Sequence, residues 1–206
     1  MEGSRYFDKD SSALLLIDYQ VGTMKLIKNL PLESVKKNAI ALAKIAQALD
    51  IPVVLTSSQE DQFQGPIMDE LAKLLPKEHE NRIKRTGLVN AWDNKDFVQA
   101  VKDTGRTNLI MAGVTTDICL IYPSISAMGA GYGVQAVMDA SGSPFNLSEE
   151  LSRKRMHDAG VVMTATNTLL AELVVDWSSP AGVKLKDLLF SDILSKDFIA
   201  GDSTPY

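Results

Sequence analysis

The sequence predicts an α/β fold built on a parallel sheet covered by helices on both sides. Two observations point there. Five short, mostly apolar runs rich in Val, Ile and Leu recur along the chain, as strands buried on both faces do. Between them lie segments whose apolar residues repeat at helical spacing. A third observation sets the size: 206 residues make one ordinary domain, able to bury roughly 70% of its unfolded surface without a metal or disulfide staple.

The first strand is predicted over 12–18 (SALLLID). A helix over 34–50 follows, where Val35, Ala39, Leu42, Ala46 and Leu49 alternate steps of four and three along one stripe. The second strand is 52–56 (PVVLT). A helix over 66–75 then opens on Pro66, and another over 94–104 stops at Gly105. The third strand is 108–113 (NLIMAG), followed by a turn at Gly113 and an apolar, small-residue helix that includes 120–130. Strand 134–139, helix 148–159 ending on Gly160, strand 161–164 and helix 166–177 complete the alternation. The domain is accordingly 1–177, and 178–206 is a C-terminal extension. Its Leu185, Leu188, Leu189, Phe190, Ile193, Leu194, Phe198 and Ile199 call for burial on the domain or on a neighbouring subunit.

Composition excludes several classes. With 21 Lys and Arg against 26 Asp and Glu, the net charge of -5 is the wrong sign for a phosphate-backbone binder, so no nucleic acid partner is expected. No apolar run approaches the ~20 residues of a membrane span, and the N-terminus lacks the basic-then-apolar order of a signal peptide. A soluble, cytoplasmic protein is expected. One cysteine and two histidines leave little material for a metal centre, and no cofactor loop stands in the right order: Gly129–Gly133 precedes a strand instead of following one.

Ligands of such sheets sit beyond the carboxyl ends of the strands, so residues there are the suspects. Asp18 ends the first strand, and Tyr19 and Gln20 follow it. Cys119 stands just past strand 108–113, where Thr116 or Asp117 can cap a helix and place the sulfur in its first turn. Unpaired N–H groups and the positive dipole end there lower a thiol pKa, so Cys119 is expected to alkylate readily near neutral pH. A cation would add to this effect, and the run from Asn81 to Arg85 supplies three: Arg82, Lys84 and Arg85. Local spacing does not choose among them. Each feature also has a bland explanation: a loop-capping Asp, a core cysteine, a solvated basic patch. His157 lies in a polar run and reads as a helix-surface residue.

The stretches LLLIDYQ, RIKR and AGVTTDIC resemble the isochorismatase-like cysteine hydrolases, and RIKRTGLVNAWDNKDF with DYQVG is similar to their YcaC-like branch. The resemblance runs from about Ser12 to Trp177. It implies a three-layer α/β/α sandwich with a central, mainly parallel sheet, and hydrolysis of a C–N, amide-like bond of a small molecule. It assigns Asp18 as general acid/base, Lys84 as cation and Cys119 as nucleophile. It also implies a cis peptide at Val114–Thr115, with the N–H groups of Thr115 and Cys119 as an oxyanion hole. Tyr19, Gln20, Phe63 and Trp92 are candidate pocket residues. The metal site of nicotinamidases in this superfamily, Asp-x-His after the second strand, is replaced here by Thr56-Ser57-Ser58-Gln59-Glu60, so neither metal nor cofactor is expected. The resemblance and the apolar extension together imply a homo-oligomer. Two rivals stand beside the enzyme: a non-catalytic thiol protein using Cys119 for redox sensing or ligand binding, and a scaffold whose assembly is its function.

Overall fold

The computed structural model describes residues 6–194. Six strands form one sheet: β1 (Ser12–Ile17), β2 (Val53–Ser58), β3 (Ile83–Arg85), β4 (Asn108–Gly113), β5 (Gly133–Val137) and β6 (Val162–Thr164). Their order is β3-β2-β1-β4-β5-β6, and every neighbouring pair is parallel. Chain order reverses between β1 and β4, the switch point at which open parallel sheets place their ligands.

Alternation along β1 builds the three layers, because successive side chains leave a strand on opposite faces. Leu14 and Leu16 enter one core with α1 (Leu32–Ala48), α2 (Asp69–Leu74), α7 (Thr166–Val174) and α8 (Pro180–Leu188). Ala13, Leu15 and Ile17 enter the other with α4 (Lys95–Asp103), α5 (Ile121–Gly129) and α6 (Asn146–Asp158). A short helix, α3 (Pro76–Glu80), leads into β3. Both cores are dominated by fully buried aliphatic side chains, which is why the strands read as mostly apolar runs.

Two local signals explain how helices meet the sheet. Asn94 caps α4 by accepting the N–H of Phe97 at 2.9 Å. Asp139, after β5, accepts both the N–H and the hydroxyl of Thr166 (2.8 and 2.9 Å), and so caps α7 from another part of the chain. The strand β3 is absent from the sequence reading. It has three residues, two of them cations, and its apolar signal is too small for periodicity to register.

The described part of the C-terminal extension packs on its own domain. Leu185 is buried against the α1 face, Trp177, Leu188, Leu189 and Ile193 pack around it, and Asp192 forms an ion pair with Lys44 of α1. Phe198 and Ile199 lie outside the described residues. No helix among the described residues is long and apolar enough to cross a membrane.

Gly113 sits where β1 and β4 approach most closely, in register with Ile17. A Cβ there would lie 3.1 Å from the Ile17 Cβ and 3.3 Å from its carbonyl oxygen. Gly113→Ala is expected to destabilise the fold by about 1–3 kcal/mol through this overpacking, read as a lower urea midpoint at unchanged m-value.

Candidate active site

β1 ends one residue before Asp18, whose φ of 58° turns the chain into the left-handed region that Asp tolerates better than most residues. The turn is anchored by the Asp18 N–H on the Thr56 carbonyl of β2, at 3.0 Å. It delivers the carboxylate to the sheet edge with almost no exposure to solvent. A charge in such a place needs a partner, and Arg85 supplies it: Nη2 donates to both carboxylate oxygens. The guanidinium is itself held from two other sides, by Nε on Thr56 Oγ1 (3.1 Å) and Nη1 on the Leu88 carbonyl (2.7 Å).

The cation that the structure brings to Asp18 is therefore Arg85, and not Lys84. The Lys84 side chain is 62% exposed, with its nitrogen 3.8 Å from Glu60. Alternation along β3 is the reason. Ile83 packs into the α4–α6 core, so Arg85 shares that face with Ile17 and Cys119 while Lys84 leaves on the opposite side. This signal was present in Ile83-Lys84-Arg85, but only once the segment is known to be a strand. Arg82 binds Glu60 through Nε (2.6 Å) and Nη2 (2.8 Å), which holds that carboxyl down to about 2. Two of the three cations thus serve Glu60.

Cys119 lies in a π-turn, Thr116–Leu120, that leads into α5. Its sulfur packs at the margin of the α4–α6 core, within reach of the Asp18 carboxylate. The Val114–Thr115 peptide is cis. The sequence-based expectation for the thiol is reversed: its pKa is pushed well above the ordinary value, by burial first and by the Asp18 charge and hydrogen bond next. Arg85 and the Thr115 N–H oppose this without prevailing. The helix start also offers the sulfur little help. The Thr115 carbonyl collects the N–H groups of Ile118 (3.3 Å), Cys119 (2.8 Å) and Leu120 (3.2 Å), so these donors are already engaged. Asp18 is raised too, burial outweighing Arg85. With its pKa raised, the thiol is protonated at rest.

The pocket candidates divide. Tyr19 is fully buried, its hydroxyl donating to the Ala140 carbonyl. Gln20 is a fastener between loops: its side chain donates to the Ser58 (2.8 Å) and Gly65 (2.5 Å) carbonyls and accepts the Ser58 N–H (2.8 Å). Trp92 packs edge-on against Phe97 and Tyr132, with ring centroids 6.2 and 5.6 Å apart. It shares a groove with Arg106 and Thr107, which precede β4, the end of the sheet opposite Cys119. All three make these contacts inside the protein. Phe63 is 63% exposed on the connection after β2, at the same edge as Asp18. His157 is on the outer surface of α6. Among the described residues, no cluster of three or more His, Cys, Asp or Glu could hold a metal ion.

The profile described as "Isochorismatase domain" matches residues 12–168. The probable hydrolase YcaC of Escherichia coli (strain K12) is 38% identical over 170 residues, 82% of this chain and 81% of that one. Its crystal structure, described as an octameric hydrolase of unknown specificity, superposes with a TM-score of 0.89 at 35% identity, covering 97% of this chain and 96% of the other. YcaC from Pseudomonas aeruginosa, solved with hexane-2,5-diol and covalent acrylamide, gives a TM-score of 0.88 at 35% identity over 98% of both chains.

The exchange of Lys84 for Arg85 can be tested on stability alone. Lys84→Ala is expected to change the unfolding free energy by less than about 0.5 kcal/mol, as at most exposed positions. Arg85→Met, which strands a buried carboxylate, is expected to cost about 3–5 kcal/mol in the same urea titration.

Proposed function

The chain belongs to the isochorismatase family of hydrolases, and from that premise we propose that it is a metal-independent cysteine hydrolase cleaving a C–N, amide-like bond of a small molecule. One observation carries this reading: the Cys119 thiol lies within reach of a buried carboxylate that Arg85 grips on both oxygens. Nucleophile, base and orienting group then follow one another in the order that activated nucleophiles require.

A thiol that is protonated at rest needs its base at the moment of attack. Asp18 takes the proton as the sulfur forms a C–S bond to the substrate carbonyl, and the carbonyl electron pair moves onto oxygen. The N–H groups of Thr115 and Cys119 are the proposed donors to that oxyanion. Cys119 N–H would then be shared with the Thr115 carbonyl, a three-centre arrangement common at helix ends. One donor of this kind contributes about 3 kcal/mol to the transition state. Collapse breaks the C–N bond, and protonated Asp18 gives its proton to the departing amine. Asp18 next draws a proton from water, whose oxygen attacks the thioester. The C–S bond breaks, the acid leaves, and the proton returns to sulfur. Arg85 stays ionised throughout and keeps Asp18 aimed.

A redox sensor on the same fold is the weaker reading, because sensing thiols are exposed and acidic and this one is neither. The covalent acrylamide in the Pseudomonas aeruginosa relative supports the presence of a nucleophile in this branch.

The reading separates reactivity from turnover. Asp18→Asn removes the charge that raises the thiol pKa and also removes the proton carrier. It is expected to speed iodoacetamide alkylation of Cys119 at pH 7 while abolishing hydrolysis of any amide the native protein turns over. Intact mass after incubation with an amide panel should show an acyl adduct on native protein and none on Cys119→Ala. Alkylation slowed by Asp18→Asn would contradict the assignment of Asp18.

The same proposal extends to a homo-oligomer. The connections that follow the strands expose Val21, Phe63, Leu88, Val89, Ile118 and Phe145, all at the catalytic edge, and exposed apolar groups gathered on one edge favour association. The Escherichia coli relative is described as octameric. Light scattering at micromolar concentration is expected to give a mass of at least two chains, and a monomer would count against it.

A further inference from the structure

The five residues after β5 touch the end of β4 and the segments that follow both β1 and β4. Ser141 is fully buried, and its Oγ accepts the N–H of Gly113 (3.1 Å), the last residue of β4, while donating to the Val137 carbonyl (2.9 Å). The next residue, Gly142, forms a β-bridge with Val114 and accepts the Thr116 N–H at 2.8 Å, at the start of the nucleophile turn. Tyr19 reaches the same segment from β1: its hydroxyl donates to the Ala140 carbonyl and also interacts with the Ser141 side chain. Tyr19 is the residue immediately after Asp18, so its anchored ring fixes the direction in which the chain leaves the left-handed turn. The Val114 N–H closes the circuit on the Ile17 carbonyl, at 3.0 Å.

We propose that Ser141 and Tyr19 are positioning residues: together they brace the end of β1 against the end of β4 and so hold the Asp18 carboxylate on the Cys119 thiol. Neither touches the reacting atoms. The ladder between β1 and β4 ends at Ile17 and Gly113, and Asp18 and Cys119 both lie beyond it. Arg85 and Thr56 hold Asp18 from the β2–β3 side, but its placement against the β4 end depends on what ties the segments past the sheet. Here that tie is the Ser141 hydroxyl on one side and the Tyr19 hydroxyl on the other. The inference rests on reading Asp18 as base and Cys119 as nucleophile.

The sign of the effect makes it testable. The charged groups acting on the sulfur are Asp18 from β1 and Arg85 from β3. Asp139 acts on Tyr19; Asp117 shares the nucleophile turn; Glu149, on α6 against that turn, is tied to Ser143 (2.7 Å) and Arg153 (2.9 Å). Ser141→Ala and Tyr19→Phe leave all of these in place and loosen only the approach of Asp18. After burial, Asp18 is what most disfavours the thiolate, so loosening its approach should make the thiol more acidic, and a destabilised control remote from the loop reads the effect of general loosening.

The experiment is iodoacetamide alkylation of the folded full chain against pH, read by intact mass on its single cysteine, for wild type, both variants and Leu173→Ala as a destabilised control remote from the loop. Circular dichroism monitors the fold. Both variants are expected to shift the alkylation midpoint down by at least ~0.5 pH unit, about a threefold gain in thiolate below the midpoint, with Leu173→Ala unshifted. Tyr19→Phe keeps the ring packing and decides alone should Ser141→Ala fail to fold. Midpoints that coincide in wild type and the folded variants overturn the brace. A wild-type Cys119 that reacts only after denaturation overturns instead the nucleophile reading beneath it.

Discussion

A carboxylate and a guanidinium, both removed from water, meet at the edge of this sheet, and the site is arranged around keeping them together. Each buried charge costs several kcal/mol to desolvate, a cost offset only by close pairing and additional hydrogen bonds. Asp18 and Arg85 obtain both from three strands at once. Thr56 of β2 stands between them, its carbonyl taking the Asp18 N–H and its hydroxyl the Arg85 Nε. The pair thus requires β1, β2 and β3 in their observed order, and β3 has little else to recommend it as a strand. An edge segment of three residues gains its place by delivering one guanidinium.

The same pair decides the chemistry of the thiol. A cysteine beside an isolated cation at a helix end would ionise easily and react with whatever electrophile arrived. Here the cation is already engaged by Asp18, and the nearest charge to the sulfur is negative. In the proposed mechanism the thiol remains protonated until Asp18 takes its proton during attack. Catalysis of this kind places stabilisation in the transition state and leaves the resting nucleophile quiet. The raised pKa of Cys119 and the raised pKa of Asp18 have the same first cause, burial at the strand end.

The two cores divide the work. The side containing α1, α2, α7 and α8 is sealed by aliphatic packing and receives the C-terminal helix as a further cover. The other side carries Ile17, Leu120 and the margin on which Cys119 sits. At its open edge the connections expose apolar side chains above this buried base.

Much of this was legible in the residues. Strands buried on both faces are mostly apolar, so 12–18, 52–56, 108–113, 134–139 and 161–164 announced themselves, and helical stripes between them required parallel pairing. Asp18 and Cys119 stood out because strand ends are where such sheets put ligands. What the sequence could not show is which cation turns inward. That depends on the parity of one residue in a strand defined only by its pairing with β2, and a shift by one position separates a solvent-facing Lys84 from a buried Arg85. Nor could it show the state of the thiol. The pKa depends on distances among Asp18, Arg85 and Cys119, residues up to 101 positions apart, and on whether the N–H groups of the nucleophile turn are free or spent on the Thr115 carbonyl. Local sequence determines periodicity and capping; burial, parity and charge proximity at a strand end arise only when distant segments are packed together, and those decided this site.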